Sequence, residues 1–228
     1  MNKQPALKSH FQLSQTLRPF LNNPRDMMLG KHSIRLLAIF FLSGTSALIY
    51  QVCWQRLLFG AFGVDIESVT VIVSTFMLGL GCGALLGGKA ADLFKDQLIV
   101  LFAFCELGIG LFGIASPVVI PAVGGLFISY DLFLITVVNF ILILIPASFM
   151  GATLPMLVAY SVRHDNSVGE SVGTLYFFNT LGASVGAFSA GIVLFNFVTI
   201  TQAIYLAASG NLIVALVAYL SSRKGNEE

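Results

Sequence analysis

The sequence predicts an all-α integral membrane protein with six transmembrane helices. Three observations carry that class. The 228-residue chain is 57% hydrophobic and only 10% charged, where soluble domains carry roughly 25% charged residues. Its mean hydropathy is +0.89, and 20 of its residues are Phe. Finally, six apolar stretches each reach the roughly 20 residues that a helix needs to cross hydrocarbon. The 12 Lys and Arg nearly cancel the 11 Asp and Glu, leaving a net charge of +1. No overall charge therefore recruits nucleic acid, and the lipid bilayer is the expected partner.

The chain divides into a polar tail over 1–33, a membrane domain over 34–222 and a short polar tail over 223–228. In the first tail Leu7, Phe11, Leu17, Phe20 and Leu21 lie near helical spacing among basic residues. That tail reads equally as an interfacial helix on the inner leaflet or as a disordered segment, and Asn22-Asn23-Pro24 ends the pattern as a turn signal.

The spans are expected over 35–58, 67–89, 97–116, 132–160, 171–197 and 201–221. The first is not a cleaved signal peptide, because a long polar tail precedes it and no small-residue cleavage site follows. Trp54 and Arg56 suggest an interfacial anchor at its far end. Arg56 also invites a pairing with Asp65 or Glu67.

Span 2 carries Gly79, Gly83 and Gly87 at a spacing of four, with Gly81 and Gly88 beside them, and span 5 repeats the device with Gly182, Gly186 and Ala190. Small residues on one stripe let two helix backbones approach closely, which is how membrane helices gain dispersion. A phosphate-binding loop would follow a strand and open a helix, whereas these glycines lie inside an apolar span. Pro117 and Pro121, with Gly124 and Gly125, suggest a short loop or half-helix after span 3. Pro146, Gly151 and Pro155 interrupt span 4 and predict a kink there.

Orientation follows from Lys and Arg. Lys3, Lys8, Arg18, Arg25, Lys31 and Arg35 precede span 1; Lys89 and Lys95 lie between spans 2 and 3. Arg163 lies between spans 4 and 5, and Arg223 and Lys224 follow span 6. With six crossings all of these share one side, and only Arg56 lies on the other, with Asp65, Glu67 and Asp131. The positive-inside rule then places both termini in the cytoplasm, and the expected location is the plasma (inner) membrane.

The glycine stripes occupy corresponding places in two halves, spans 1–3 and 4–6. Such correspondence predicts a three-plus-three inverted repeat, the architecture of half a facilitator. Gly88 to Lys95 resembles a degraded copy of the cytoplasmic loop signature of major facilitator transporters. Asp92 and Lys95 fit it as a charged latch between helix ends, while Asp96 stands near where a second basic residue belongs.

Glu106 is the most informative residue. Nine residues into span 3 at about 1.5 Å each, it lies roughly 13 Å deep, close to the midplane. A carboxyl there is costly and must face protein or water. The same arithmetic brings Asn179, Asn211 and, one turn from Asn179, Tyr176 to a similar level. Two readings stay open: a functional acid that meets a cationic ligand or a proton, or a carboxyl hydrogen-bonded between helices. Gln51, in the outer third of span 1, reads as an interhelical hydrogen bond or a pore-lining contact.

Cys53, Cys82 and Cys105 lack metal or redox spacing, and His10, His32 and His164 fall in polar segments. No cofactor or metal is implied. No nucleophile and base can be argued to meet within the spans.

Several strings are recognisable. Phe41 to Arg56, Phe76-Met77-Leu78-Gly79 leading to Gly87-Gly88, and Glu106 to Gly110 resemble the membrane domain of the spermidine-synthase-like proteins. Met150 to Pro155, and Leu175-Tyr176 with Asn179 to Ala183, add to the likeness, which covers roughly residues 33 to 222. These are also called fused facilitator/spermidine synthase proteins. Many relatives carry Glu where Gln51 stands. The resemblance implies a link to polyamine chemistry and a soluble aminopropyltransferase-like domain. Its Gly-rich nucleotide loop and catalytic acids have no counterpart after span 6, so the chain is expected not to be an enzyme by itself. The expectation is a membrane module that anchors or serves a soluble synthase-like partner and moves a cationic amine. The alternative is a stand-alone half-facilitator that transports a small molecule as a homodimer.

Overall fold

The computed structural model describes residues 31–62, 65–126, 132–165 and 168–224. Among them there is no strand, and six helices are long and apolar enough to cross a membrane. They are α1 (Lys31–Phe62), α2 (Asp65–Leu93), α3 (Leu98–Leu126), α4 (Leu132–Asp165), α5 (Val168–Phe188) and α6 (Ile200–Lys224). The chain divides into two units, Met1–Ala38 and Ile39–Glu228, and the packing that follows belongs to the second. The N-terminal tail to residue 30, the C-terminal tail after Lys224, Asp131, and the side chains of Asp65 and Glu67 lie outside the described residues.

Several helices run past the spans expected from hydropathy, as α1 does at both ends and α4 does to Asp165, because backbone groups in the flanks still prefer intrahelical partners. The difference is largest in α3. The loop or half-helix expected around Pro117 and Pro121 is absent, since α3 runs through both prolines to Leu126. In lipid a broken backbone would leave donors and acceptors without water, so helix persists despite two lost N–H groups. Likewise α4 continues as helix through Pro146 and Pro155.

The glycine stripes set the packing. A Cβ on Gly83 would lie 2.0 Å from the carbonyl oxygen of Ser148, and one on Gly87 would lie 2.6 Å from the Cα of Ala152. From the other side, a Cβ on Gly151 would meet the Leu80 carbonyl oxygen at 2.3 Å. So α2 and α4 touch backbone to backbone. The stripe of α5 does the same to α1: a Cβ on Gly182 would lie 2.0 Å from the Phe41 oxygen, and one on Gly186 would lie 2.2 Å from that of Thr45. Gly81 and Gly88 have nothing within 4 Å. The third strong pairing is α3 on α6, where Gly110 leaves room for Leu212.

After α5 the helix widens into a π turn, Ser189–Leu194, followed by one α turn, Phe195–Phe197. Val198 is extended and ends it. α6 then starts on a reciprocal cap: the Thr199 N–H donates to Gln202 Oε1 (2.9 Å), and the Gln202 N–H donates to Thr199 Oγ1 (3.3 Å). This is the Thr-x-x-Gln capping box, which satisfies two donors at the helix start.

Trp54 departs from the expected interfacial anchor. Its side chain is completely buried, stacked on Tyr50 at 4.9 Å and edge-on to Phe112 at 5.3 Å. The indole N–H donates to Ser116 Oγ at 2.8 Å, and that hydroxyl donates to the Gly113 carbonyl. With its one polar group satisfied inside, the large ring gains more from the core than from the interface. Cys53 is buried in the same core, and Cys105 in a separate cluster with Ala152 and Met156, both as small packing groups.

Candidate functional site

The deepest polar cluster joins α1, α3 and α6 around Glu106, which has 0% accessible surface. Ser43 Oγ donates to Glu106 Oε1 at 2.5 Å, and Asn211 Nδ2 donates to Oε2 at 2.6 Å. Both partners are buried as well. Helix geometry explains the meeting: Glu106 shares its face of α3 with Ile109, Gly110 and Gly113, all buried at helical spacing. Glycines on that face let α6 and α1 come close. A Cβ on Gly110 would press on Leu212 at 3.0 Å, and one on Gly113 would meet the Tyr50 hydroxyl at 2.2 Å. Each carboxylate oxygen thus has one donor from a different helix, the arrangement a buried carboxyl requires.

Two buried polar atoms near this seam, Tyr50 OH and Asn211 Oδ1, have no hydrogen-bond partner among the described residues. The Asn211 amide can turn, so the cluster can accept from Glu106 or donate to it without other movement.

Of the residues expected at this depth, the structure joins Glu106 to Asn211. Asn179 instead packs its backbone and side chain on Gly44 of α1, where a Cβ would lie 2.2 Å from its carbonyl oxygen and 2.7 Å from Oδ1. Tyr176 is 59% exposed, on the outer surface of α5. Equal depth does not bring it inward, because its position on the helix circumference points it away. Gln51 is half-buried, eight residues beyond Ser43 and so about 12 Å further along α1. Ser43 is the partner that sequence reasoning missed. It lies nine residues into the apolar stretch of α1 that starts at Ile34, so the depth count applied to Glu106 would have found it. Asn139 of α4, also fully buried, is a second polar residue that reading passed over.

At the end of the bundle where α2 leads into α3, Asp92 and Lys95 are exposed. At the same end Arg163 of α4 donates to the backbone carbonyl of Lys95 and sits 3.4 Å from Asp96 Oδ1. Asp96, noted in the sequence as out of place in the loop signature, is the acid that Arg163 meets. The pair is solvent-facing, and such pairs contribute little to stability.

Among the described residues no group of three or more His, Cys, Asp or Glu is placed to hold a metal. Comparison with models of protein families, with curated proteins and with solved structures gives no match to this chain.

Proposed function

We propose that this chain is an inner-membrane module that anchors or serves a soluble, synthase-like partner handling amines, and leaves the chemistry to that partner. The observation that carries this reading is the closure of the Glu106 cluster. A carboxyl with no accessible surface, bonded through both oxygens to α1 and α6, works as a pin holding three helices in register. A rigid bundle of that kind suits a scaffold. The likeness of residues 33 to 222 to the spermidine-synthase-like membrane domain supplies the class of partner.

The helix pairings support a three-plus-three inverted repeat. Exchanging α1 with α4, α2 with α5 and α3 with α6 turns the α2–α4 contact into the α5–α1 contact and leaves α3–α6 in place. It also turns the α3–α4 contact at Gly108 and Phe149 into the α6–α1 contact at Gly210 and Ser46. The loop charges support cytoplasmic termini.

A second reading, the homodimeric half-facilitator carrying an amine or other small molecule, has its own support. In the apolar stretch of α5 only 17% is buried, and in α2 33%, against 50% in α4 and in α6. These two helices, equivalent in the proposed repeat, leave outer faces that a second bundle could cover.

Mass measurement on protein purified from its native membrane in mild detergent separates the two. Co-purification of a soluble synthase-like protein is the expected result. A homodimer without a partner would favour the carrier, and amine flux into vesicles with Glu106→Gln would follow. Unchanged flux and unchanged amine affinity in that variant would remove Glu106 from any charged role.

A further inference from the structure

We propose that the rim of the bundle where α1 ends and α6 begins holds one phosphate group, presented by the headgroup of an anionic lipid. An open, shallow pocket of about 450 Å³ lies there, lined by Arg56, Asn196, Val198, Thr199 and Gln202 among others. Arg56 lies four residues before the end of the α1 apolar stretch at Gly60, about 6 Å from its edge. That is the level at which lipid phosphates meet basic and aromatic side chains.

The guanidinium is positioned by an aromatic ring, 4.0 Å above the centroid of Phe195. A cation–π contact occupies one face of the guanidinium and leaves its N–H fork free at the edge. Phe195 reaches that place because of the π turn over Ser189–Leu194. Gly182, Gly186 and Ala190 step along the α1-facing side of α5 by fours. The wider turn carries one extra residue, so Phe195, five positions after Ala190, falls on that side. π turns of this kind are often found at functional sites.

The other polar groups also offer hydrogens. Thr199 Oγ1 accepts from the Gln202 N–H and keeps its own proton for a ligand. Asn196 spends one amide hydrogen on the Ile192 carbonyl and has a second to give. The α6 N-terminus adds partial positive charge. Among the described residues no carboxylate lies within ion-pair distance of Arg56. A pocket with a forked cation and several donors fits a tetrahedral phosphate better than a cation or an amine.

Trp54, the only tryptophan, is enclosed in the core and little reached by lipid, so Phe197→Trp, at an exposed position on the pocket lining, supplies the reporter for this rim. The full-length chain carrying it would be reconstituted in vesicles of brominated phosphatidylcholine, whose bromines quench tryptophan at short range. Ordinary phosphatidylglycerol or ordinary phosphatidylcholine would then be titrated in. Phosphatidylglycerol should relieve quenching at about a fivefold lower mole fraction, equivalent to about 1 kcal/mol. Arg56→Gln should abolish that preference, while Arg163→Gln, at the other end, should keep it. Inorganic phosphate that erases the preference would assign the site to free phosphate as well as to lipid. Equal relief by both lipids with Arg56 in place would overturn the proposal, even if Arg56→Gln were not recovered. A preference that survives Arg56→Gln would also overturn it. So would a several-fold gain in preference on Asp65→Asn with Glu67→Gln, since the guanidinium would then already be paired within the chain.

Discussion

Replacing Gly83 with Ala tests whether backbone contact between α2 and α4 holds the bundle together. The new Cβ would lie 2.0 Å from the Ser148 carbonyl oxygen, 2.8 Å from its carbon and 3.0 Å from the Ala152 nitrogen. All three are backbone atoms, so no rotamer change can relieve the clash. Ordinary contact begins at 3.4 Å, so the backbones would have to separate by roughly 1.4 Å at the closest point, and a gap of 0.5–1 Å already forfeits about a quarter to a half of each dispersion contact along the stripe. Overpacking typically costs about 1–3 kcal/mol, and a clash against fixed backbone belongs at the upper end, near 3 kcal/mol. Gly81→Ala is the matched control, with nothing within 4 Å of its Cβ, and should change stability by no more than a few tenths of a kcal/mol. Labelling of the buried thiols of Cys53 and Cys105 by a thiol-reactive dye reads the opening of the bundle, with Cys82 replaced by Ser in every variant. If opening precedes labelling, about 3 kcal/mol corresponds to roughly a hundredfold faster reaction for Gly83→Ala. Equal labelling rates for the Gly83 and Gly81 variants would refute the close approach. Gly182→Ala, whose Cβ would meet the Phe41 oxygen at 2.0 Å, should behave like Gly83→Ala.

Two further outcomes follow from the polar seam. Glu106→Gln should retain most of the stability, because one amide oxygen can accept from Ser43 while its NH₂ donates to a turned Asn211. Glu106→Ala should lose about 3 kcal/mol or more from a cavity and two orphaned donors, and equal thermal midpoints for the two variants would contradict the pin. Ser116→Ala removes the acceptor of the Trp54 indole N–H and should cost about 1–3 kcal/mol. It should also shift tryptophan emission to shorter wavelength, and an unmoved spectrum would place the indole elsewhere.

What could be read from the chain alone follows from how a bilayer constrains it. Hydrocarbon forces every backbone group into a helix and every span to a minimum length, so six spans and the packing role of Gly79, Gly83 and Gly87 were legible from composition and spacing. The depth of Glu106 was legible too, since depth is residue count times rise. Circumference was not. Tyr176 shares the level of Asn179 yet faces outward, and Trp54 near a span end turned inward to Ser116, because which side of a helix meets a neighbour depends on how all six pack. The partners of Glu106 were chosen in the same way: Ser43 and Asn211 are separated in the chain by most of its length, and only the close approach that Gly110 and Gly113 permit brings them to one carboxylate. Local signals also misled where the membrane overrode them, as at Pro117 and Pro121, since an unpaired backbone in lipid costs more than a proline in a helix. The π turn over Ser189–Leu194 left no mark on the apolar run that contains it, because one extra residue in a helical turn changes which side later residues face and not how apolar they are.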